Sequence, residues 1–378
     1  MTTECKPWWR NAVEAPKTRI SPSVLAVSPL IGLRQYYDIT VHDDGITAIG
    51  GITTGIASKP GWGKSTLLMQ IAQTTAHVPG AGSKNAYFNH RDHLVPETVI
   101  WRGKPTDQWA VFFPEHWDNA FPGTVSKPIY LHIHASDRLK FIYDDPGSPP
   151  EDIIDAYEKS RHYRDIHDLY SNIVQGAINV VYPPTQYALP EETTERLYSE
   201  GFFTSHRRYD PSEPIVCPSF YWWYEFFETL CRIKGREYIT LLMDEAGDLL
   251  ASGSKDLYWQ LISHFAENVL VNFRKLNVSS VFAVHGMTLV DYRPRERFQF
   301  MIWLPTSYPQ VRHGSRVHPR LISALPDRGW AITEELSRRF GRIEFPPVRE
   351  QPPIVKMVSE THIPIPALGK RRRRSRYQ

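Results

Sequence analysis

The chain has 378 residues, of which 41% are hydrophobic and 22% are charged, a composition typical of a folded protein with a full-sized core. Its net charge of +3 is unevenly distributed, because residues 370–378 (KRRRRSRYQ) hold six basic residues and leave 38 basic against 41 acidic residues elsewhere. Three cysteines without CxxC spacing argue against a disulfide framework and a zinc knuckle. The sequence has no apolar signal core and no apolar run approaching about 18 residues, which predicts a cytoplasmic protein without a membrane span.

Changes in composition along the chain predict five segments. Residues 1–36 form an arm punctuated by Pro and Ser, residues 37–105 and 216–348 form two parts of one core, residues 106–215 form an insertion, and residues 349–378 form a Pro-rich and basic tail. The insertion is distinguished by its many prolines and histidines.

Within the core, strand patterns alternate with helix patterns. Strands are predicted on both sides of the turn at 43–45 and at 97–104, 237–243, 278–284, 298–303 and 329–333, and helices after residue 63, at 220–235 and near 256–275. In the insertion we predict strands at 129–133 and 177–182 and a helix at 151–168. The alternation indicates an α/β protein whose mostly parallel sheet is flanked by helices.

A phosphate-binding loop is predicted between the first buried strand and the first helix. Glycines let backbone N–H groups curl around phosphates, a lysine reaches the β- and γ-phosphates, a serine hydroxyl serves Mg²⁺, and the helix dipole favours the anion. The usual pattern starts with glycine, where this chain has Ser58. The alternative is a Gly-rich turn that only caps a helix. The predicted loop, with ATP and Mg²⁺ as cofactors, consists of Ser58, Lys59, Pro60, Gly61, Trp62, Gly63, Lys64, Ser65 and Thr66.

A second motif is the carboxylate pair Asp244 and Glu245 at the end of an apolar strand. Adjacent strand residues point to opposite sides, so the two carboxylates can have different roles. We predict that Asp244, with Ser65, holds Mg²⁺ and that Glu245 polarises the attacking water. The carboxyl ends of parallel strands are where α/β sheets bind ligands. Taken alone, the pair could also be a strand-to-helix cap.

Residues 45–105 and 236–348 resemble the HerA/FtsK superfamily of DNA-pumping P-loop ATPases, which includes conjugative coupling proteins and viral packaging motors. KPGWGKST is similar to the family's phosphate loop, TVIWRGK to its second strand and LLMDEAGDLL to its Walker B strand. The segment from Arg274 to His285 is similar to the family's helix end and fourth strand, and RFQFMIWLP, LPDRGWAI and IEFPPV are similar to later segments in the same order. The resemblance implies a RecA/ASCE-like P-loop fold.

The resemblance also implies an activity and partners, namely ATP hydrolysis that translocates or packages DNA in a viral or plasmid setting. It implies a hexameric ring with ATP at the subunit boundaries and DNA in the central channel. His285 stands where the family has a polar γ-phosphate sensor, usually Gln. Such rings need a cation from the neighbouring subunit. Arg274 is the first candidate, and the alternatives are Arg293, Arg295 and Arg297.

Three further features lie outside the two motifs. The basic cluster at 370–376 is typical of segments that bind polyanions such as DNA, RNA, an acidic partner or a membrane surface. His132 and His134 share one strand face, but ordinary histidines are favoured over a metal site. The aromatic residues at 220–227 cover most of a helix surface and indicate core or a subunit interface.

Two other functions fit the same motifs. A P-loop kinase would need an arginine-rich lid, and residues 106–215 show no such pattern. An ATP-dependent assembly or secretion adaptor of the zonula-occludens-toxin kind would carry similar Walker motifs. Stimulation of ATP hydrolysis by DNA separates a DNA motor from both.

Overall fold

The computed structural model describes the chain in segments. They are residues 40–42, 45–47, 53–76, 97–144, 159–185, 187–188, 195, 199, 216–217, 219–233, 238–252, 257–276, 278–310, 315–326, 328–335, 339–345 and 353–362. The predicted arm at 1–36 and the basic cluster at 370–376 lie outside the described residues.

Seventeen strands are described. They are β1 Thr40–His42, β2 Gly45–Thr47, β3 Thr53–Ala57, β4 Glu97–Arg102, β5 Thr106–Asp107, β6 Ile129–His134, β7 Asp137–Tyr143, β8 Ser160–Tyr163, β9 Ile178–Val181, β10 Tyr187–Ala188, β11 Val216–Cys217, β12 Tyr238–Met243, β13 Val278–Val284, β14 Phe300–Trp303, β15 Trp330–Glu335, β16 Arg339–Glu344 and β17 Val355–His362.

Ten of these strands form one sheet, in the order β16-β15-β14-β3-β13-β12-β4-β9-β6-β8. The strands from β14 to β8 run parallel to one another, and β15 and β16 continue the sheet antiparallel at one edge. Every residue of β3, β13 and β14 is buried, as expected for parallel strands covered on both faces. The predicted α/β class with a mostly parallel sheet is confirmed.

Eight α-helices are described. They are α1 Lys64–Thr75, α2 Pro114–Ala120, α3 Ile166–Asn172, α4 Ser219–Ile233, α5 Leu257–His264, α6 Leu270–Lys275, α7 Tyr292–Glu296 and α8 Pro319–Ser323. A π-helical turn, Phe265–Val269, joins α5 to α6, so the helix predicted near 256–275 continues through one widened turn. Among the described residues, none of the helices is long and apolar enough to cross a membrane.

The two faces of the main sheet bury separate apolar clusters. Side chains alternate along a strand, so Val99 and Trp101 of β4 join one cluster whereas Ile100 joins the other. Helix α1 contributes to the first cluster, and α4 and α5 contribute to the second. Helices therefore cover both faces of the sheet, and this packing holds its central strands in place.

Helix α4 supplies most of the aromatic residues of the second cluster. Trp222, Trp223, Phe226 and Phe227 are at most 1% exposed, and the rings of Trp222 and Phe226 stack with centroids 5.5 Å apart. Full burial of one such side chain stabilises a fold by about 2–3 kcal/mol. The aromatic run therefore lies in the core, which is one of the two places that the sequence indicated.

A smaller antiparallel sheet has the order β5-β17-β7. Its middle strand comes from residues 355–362, within the segment that the sequence assigned to a tail. It pairs with β7 from Val355↔Tyr143 to His362↔Asp137, with one register shift, and with β5 at Val355↔Asp107. Phe141 of β7 contacts Trp109, which contacts Phe113, and all three belong to the first core cluster.

Strands β6, β8 and β9 lie within the predicted insertion at 106–215, and they extend the main sheet beyond β4. The division of the chain into core, insertion and tail stays a prediction. The helix predicted at 151–168 is wrong over residues 160–163, which form β8 alongside β6, and its residues 151–158 lie outside the described part of the chain. Helix α3 begins only after Asp165, whose carboxylate accepts a 2.8 Å hydrogen bond from the backbone N–H of Asp168. Pairing with β6 satisfies the backbone groups on one side of 160–163, and this long-range contact is not revealed by local periodicity.

Candidate nucleotide-binding site

The predicted phosphate loop connects the buried strand β3 to helix α1. Gly61 and Gly63 adopt φ values of 78° and 89°, in the left-handed region that favours glycine. Helix α1 begins after Gly63, and its first turn holds no acidic residue. Within this described segment, no side chain at the N-cap accepts a hydrogen bond from the first N–H groups of the helix. An exposed loop of this shape at a helix N-terminus is suited to an anion.

Lys64 is buried directly behind this loop. Its Nζ donates hydrogen bonds of 2.9 Å to the carbonyl oxygen of Ser58 and 3.0 Å to that of Lys59. Burial lowers its pKa, and the nearby carboxylates of Asp244 and Glu245 oppose that shift. The loop thus holds the lysine against its own backbone, with the ammonium close to both acidic residues.

The two motifs meet at Ser65 and Asp244. The Ser65 hydroxyl donates a 2.9 Å hydrogen bond to Asp244 Oδ2 across a sequence separation of 179 residues. Asp244 Oδ1 accepts a 2.9 Å hydrogen bond from the backbone N–H of Glu245. The structure therefore places the hydroxyl and the carboxylate that we predicted to hold Mg²⁺ next to each other.

Glu245 differs from Asp244 in both exposure and backbone conformation. Its side chain is 59% exposed, whereas that of Asp244 is 5% exposed. Glu245 also has a φ of 51°, a left-handed conformation that is uncommon for a residue with a side chain. The turn after β12 therefore directs one carboxylate inward and the other towards solvent, as the sequence predicted for a pair with two roles.

The strand before the loop and the strand before the acidic pair are separated by β13, which runs parallel to both. The end of β13 contacts both loops, because the carbonyl oxygen of Val284 accepts from the Ser58 N–H at 3.2 Å and that of Ala283 accepts from the Ala246 N–H at 2.8 Å. This additional strand, with a glutamate after the acidic strand, is the ASCE-like arrangement that the resemblance implied. The chain has a P-loop NTPase fold.

Comparison with known proteins yields structures but no close relatives. No protein-family model matches the chain, and none of the curated proteins matches it. Solved structures similar to the chain include the genome packaging NTPase B204 from Sulfolobus turreted icosahedral virus 2 in complex with ATP-gammaS. The identity is 10% and the TM-score 0.36, with coverage of 79% of this chain and 98% of that one.

Two other similar structures come from bacteria. The N-terminal domain of zonular occludens toxin from Neisseria meningitidis is 10% identical with a TM-score of 0.31, covering 79% of this chain and 95% of that one. The cytoplasmic domain of the Thermomonospora curvata type VII secretion ATPase EccC is 13% identical with a TM-score of 0.34, covering 82% and 28%. At these values the likenesses carry no functional argument, and the fold is established by the chain's own strand order and loop geometry.

Lys104 is a residue of the site that the sequence analysis did not single out. It lies two residues after the end of β4, and its Nζ lies 3.1 Å from Asp244 Oδ2 and 3.4 Å from Glu245 Oε2. Burial alone would lower its pKa, but the carboxylates of Asp244, Asp107 and Glu245 together outweigh burial and raise the pKa. The available signal was a lysine at the carboxyl end of a strand beside the acidic strand.

Two further residues of this sheet edge were also missed. The buried Arg102 bonds Asp248 through both terminal nitrogens, with 2.8 Å between Nη1 and Oδ1. Asp107 is buried and accepts hydrogen bonds from Trp101 Nε1, at 3.1 Å to Oδ2, and from the Gln108 N–H at 2.8 Å. Burial raises the pKa of Asp107 to about 7.

The remaining predicted site residues are His285 and the four candidate arginines. His285 is exposed and follows Val284, so it lies at the end of the strand that contacts both loops. Arg274 lies in α6, but its side chain is outside the described part of the structure.

Among the alternative arginines, Arg293 is buried and its Nε lies 3.5 Å from Asp291 Oδ1. Arg295 donates a 3.1 Å hydrogen bond to the carbonyl oxygen of Met287. Arg297 is the exposed one of the three, so it is the one best placed to reach another molecule.

The two histidines His132 and His134 have separate polar partners. His132 Nε2 lies 2.9 Å from Asn179 Oδ1 inside the sheet, and burial lowers the pKa of His132 to about 4. His134 instead contacts Ser136 and the carbonyl oxygen of Arg164. No group of three or more His, Cys, Asp or Glu side chains that could hold a metal ion occurs among the described residues.

Proposed function

We propose that this chain binds ATP with Mg²⁺ and hydrolyses it, and that hydrolysis drives translocation or packaging of DNA. The observation that carries the ATPase proposal is the 2.9 Å contact between Ser65 Oγ and Asp244 Oδ2, with Lys64 and Glu245 beside it. These four side chains are what a P-loop ATPase needs to bind phosphates, hold a metal and activate water.

In this proposal the backbone N–H groups from Gly61 to Ser65 and the first turn of α1 surround the phosphates, since Gly61 and Gly63 bend the loop around them. Lys64 lies at the base of the loop and neutralises phosphate charge. Trp62 lies between the two glycines, Thr66 lies in the first turn of α1, and Ser58, Lys59 and Pro60 form the start of the loop.

The residues present fit Mg²⁺. A hydroxyl and a carboxylate, both hard oxygen donors, lie in contact, and Mg²⁺ is commonly held by one or two such groups while water and phosphates fill its other positions. Ser65 and Asp244 would hold the ion, which would supply positive charge to offset that of the phosphates. Glu245, exposed beside Asp244, would orient the attacking water and accept its proton.

The DNA partner and the hexamer rest on the resemblance and on the basic cluster at 370–376. We assign His285 to γ-phosphate sensing because it directly follows the strand whose end contacts both loops. The cation supplied across a subunit boundary is Arg274 or one of Arg293, Arg295 and Arg297. Among these, exposure favours Arg297 over the buried Arg293.

An ATPase assay with and without DNA, run beside electron microscopy of particles, tests the proposal. We expect Mg²⁺-dependent release of phosphate, stimulation by DNA and ring-shaped particles. The Lys64→Ala variant should lose nucleotide binding. Hydrolysis that DNA does not change, with ATP-dependent assembly, would instead indicate the assembly or secretion adaptor, and phosphate transfer to an acceptor molecule would indicate a kinase.

A further inference from the structure

The ammonium of Lys104 lies between the two carboxylates of the acidic motif. Its Nζ is 3.1 Å from Asp244 Oδ2 and 3.4 Å from Glu245 Oε2, and only 14% of its side chain is exposed. Asp107 adds a third carboxylate near enough to stabilise its charge. Lys104 is therefore a buried cation held by acidic groups on two sides.

Lys104 contacts the same carboxylate oxygen of Asp244 that Ser65 contacts in the proposed metal site. Asp244 Oδ2 accepts hydrogen bonds both from Ser65 Oγ, at 2.9 Å, and from Lys104 Nζ, at 3.1 Å. A divalent ion bound by Ser65 and Asp244 would use this oxygen or lie next to it. An ammonium so close would repel that ion, because two positive charges at short range in a partly buried site interact strongly.

We propose that Lys104 is a positioning residue that occupies the place of the metal in the nucleotide-free site and leaves Asp244 when the metal-nucleotide complex binds. This inference rests on the proposed function only in taking Ser65 and Asp244 as the metal-binding pair. In this position the ammonium offsets the repulsion between two neighbouring carboxylates. It also keeps stray divalent ions out until a nucleotide delivers one.

Displacement of Lys104 has a consequence for Glu245. The same ammonium contacts both carboxylates, so its departure from Asp244 also changes the restraint on Glu245. The arriving triphosphate offers the displaced ammonium new anionic partners. Metal arrival is thereby linked to the side chain that acts on water.

Mn²⁺ binding to the nucleotide-free full-length chain, followed by electron paramagnetic resonance, tests the inference without any hydrolysis. We expect Lys104→Met to bind Mn²⁺ at least about tenfold more tightly than the wild type, since the competing cation is gone. Lys104→Arg should bind as weakly as the wild type because it keeps the charge. The double variant Lys104→Met with Asp244→Asn should lose the gain.

Lys104→Met leaves buried carboxylates without their cation, which destabilises the fold. A second variant with one carboxylate fewer is therefore measured beside it. Lys104→Met combined with Asp107→Asn removes one of those carboxylates and should show the same gain in Mn²⁺ affinity. Equal Mn²⁺ affinity in the wild type and in whichever of these two variants is folded would overturn the inference. A further experiment adds ATP-gammaS and Mn²⁺ to the wild type and separates this inference from the proposed function. If the protein binds no Mn²⁺ with ATP-gammaS present, the proposed metal site itself is wrong.

Discussion

Arg102 and Asp248 form a two-pronged ion pair beside the site. Nη1 lies 2.8 Å from Oδ1, Nη2 contacts Oδ2, and Nη1 also lies 3.5 Å from the backbone carbonyl oxygen of Glu245. Arg102 ends β4, whereas Asp248 lies in the turn that follows β12. The pair therefore ties the left-handed turn at Glu245 to the neighbouring strand.

We expect Arg102→Lys to lower kcat about tenfold or more with little change in the KM for ATP. Lysine keeps the charge but cannot make two parallel hydrogen bonds, so the turn at Glu245 loses its anchor while the phosphate loop is untouched. Steady-state ATPase kinetics measure the effect. Arg161→Lys is the matched control, since Arg161 bonds the Asn172 carbonyl oxygen away from the site. Equal losses in both variants would refute the anchoring role.

We expect Glu245→Gln to bind ATP and hold it unhydrolysed, with turnover reduced at least about a hundredfold. The amide keeps the size of the side chain but cannot accept a proton from water. Single-turnover assays and retention of radiolabelled ATP on the purified protein measure this. Glu267→Gln is the control, because Glu267 is exposed and accepts a hydrogen bond from Ser263 in another part of the structure. This variant should behave as the wild type. Normal turnover by Glu245→Gln would remove this residue from its role.

The raised pKa of Asp107 predicts a pH dependence of stability. The folded protein keeps this proton up to a pKa of about 7, whereas the unfolded chain releases it near 3.8. The contribution of Asp107 to stability is therefore complete below pH 3.8 and declines as the pH rises to about 7. Asp107→Asn cannot ionise, so we expect it to match the wild type near pH 4 and exceed it by up to about 4 kcal/mol at pH 8.

Urea unfolding of both proteins at several pH values between 4 and 8 measures that difference. Asp118→Asn, on the exposed face of α2, is the matched control and should leave the curve unchanged. A constant difference between Asp107→Asn and the wild type across this range would show that Asp107 does not titrate as described.

The intrinsic fluorescence of Trp62 should report nucleotide binding. The half-buried ring lies in the phosphate loop, with the guanidinium carbon of Arg328 6.0 Å from its centroid, so a bound triphosphate changes its surroundings. The chain has 11 tryptophans, so the signal is identified by the difference between the wild type and Trp62→Phe. Titration with MgATP should give a saturable change that Lys64→Ala abolishes. Identical titrations of the wild type and Trp62→Phe would count against the loop assignment.

Removal of residues 370–378 should weaken DNA binding and flatten its salt dependence. Six basic residues in contact with phosphates would contribute up to about 5 units to the slope of log K against log salt. Fluorescence anisotropy of labelled DNA at several salt concentrations measures this slope. The shortened chain should keep its DNA-independent ATPase activity, and an unchanged slope would assign the cluster to another partner.

Much of the fold was predictable because its signals are local. The glycines at 61 and 63, the apolar run before Asp244 and the largely apolar strand 278–284 each mark an element by periodicity or backbone requirement. The contact of Ser65 with Asp244 could be anticipated because ligand sites form where parallel strands end.

The rest depends on contacts between distant segments. Nothing local distinguishes the strand at 160–163 from a helix start, and β17 is specified only by its pairing with β5 and β7. Lys104 and Arg102 look like ordinary polar residues after a strand, and their importance comes from acidic partners more than a hundred positions away. Sequence periodicity contains no information on such pairs.

Strand β17 has a practical meaning for anyone shortening this chain. It is the middle strand between β5 and β7. A version that stops before residue 353 would lack this strand and leave the edges of β5 and β7 unpaired. Bare edges pair readily with other molecules and promote aggregation. Boundaries for expression or tagging therefore belong beyond His362, even where only the nucleotide site is of interest.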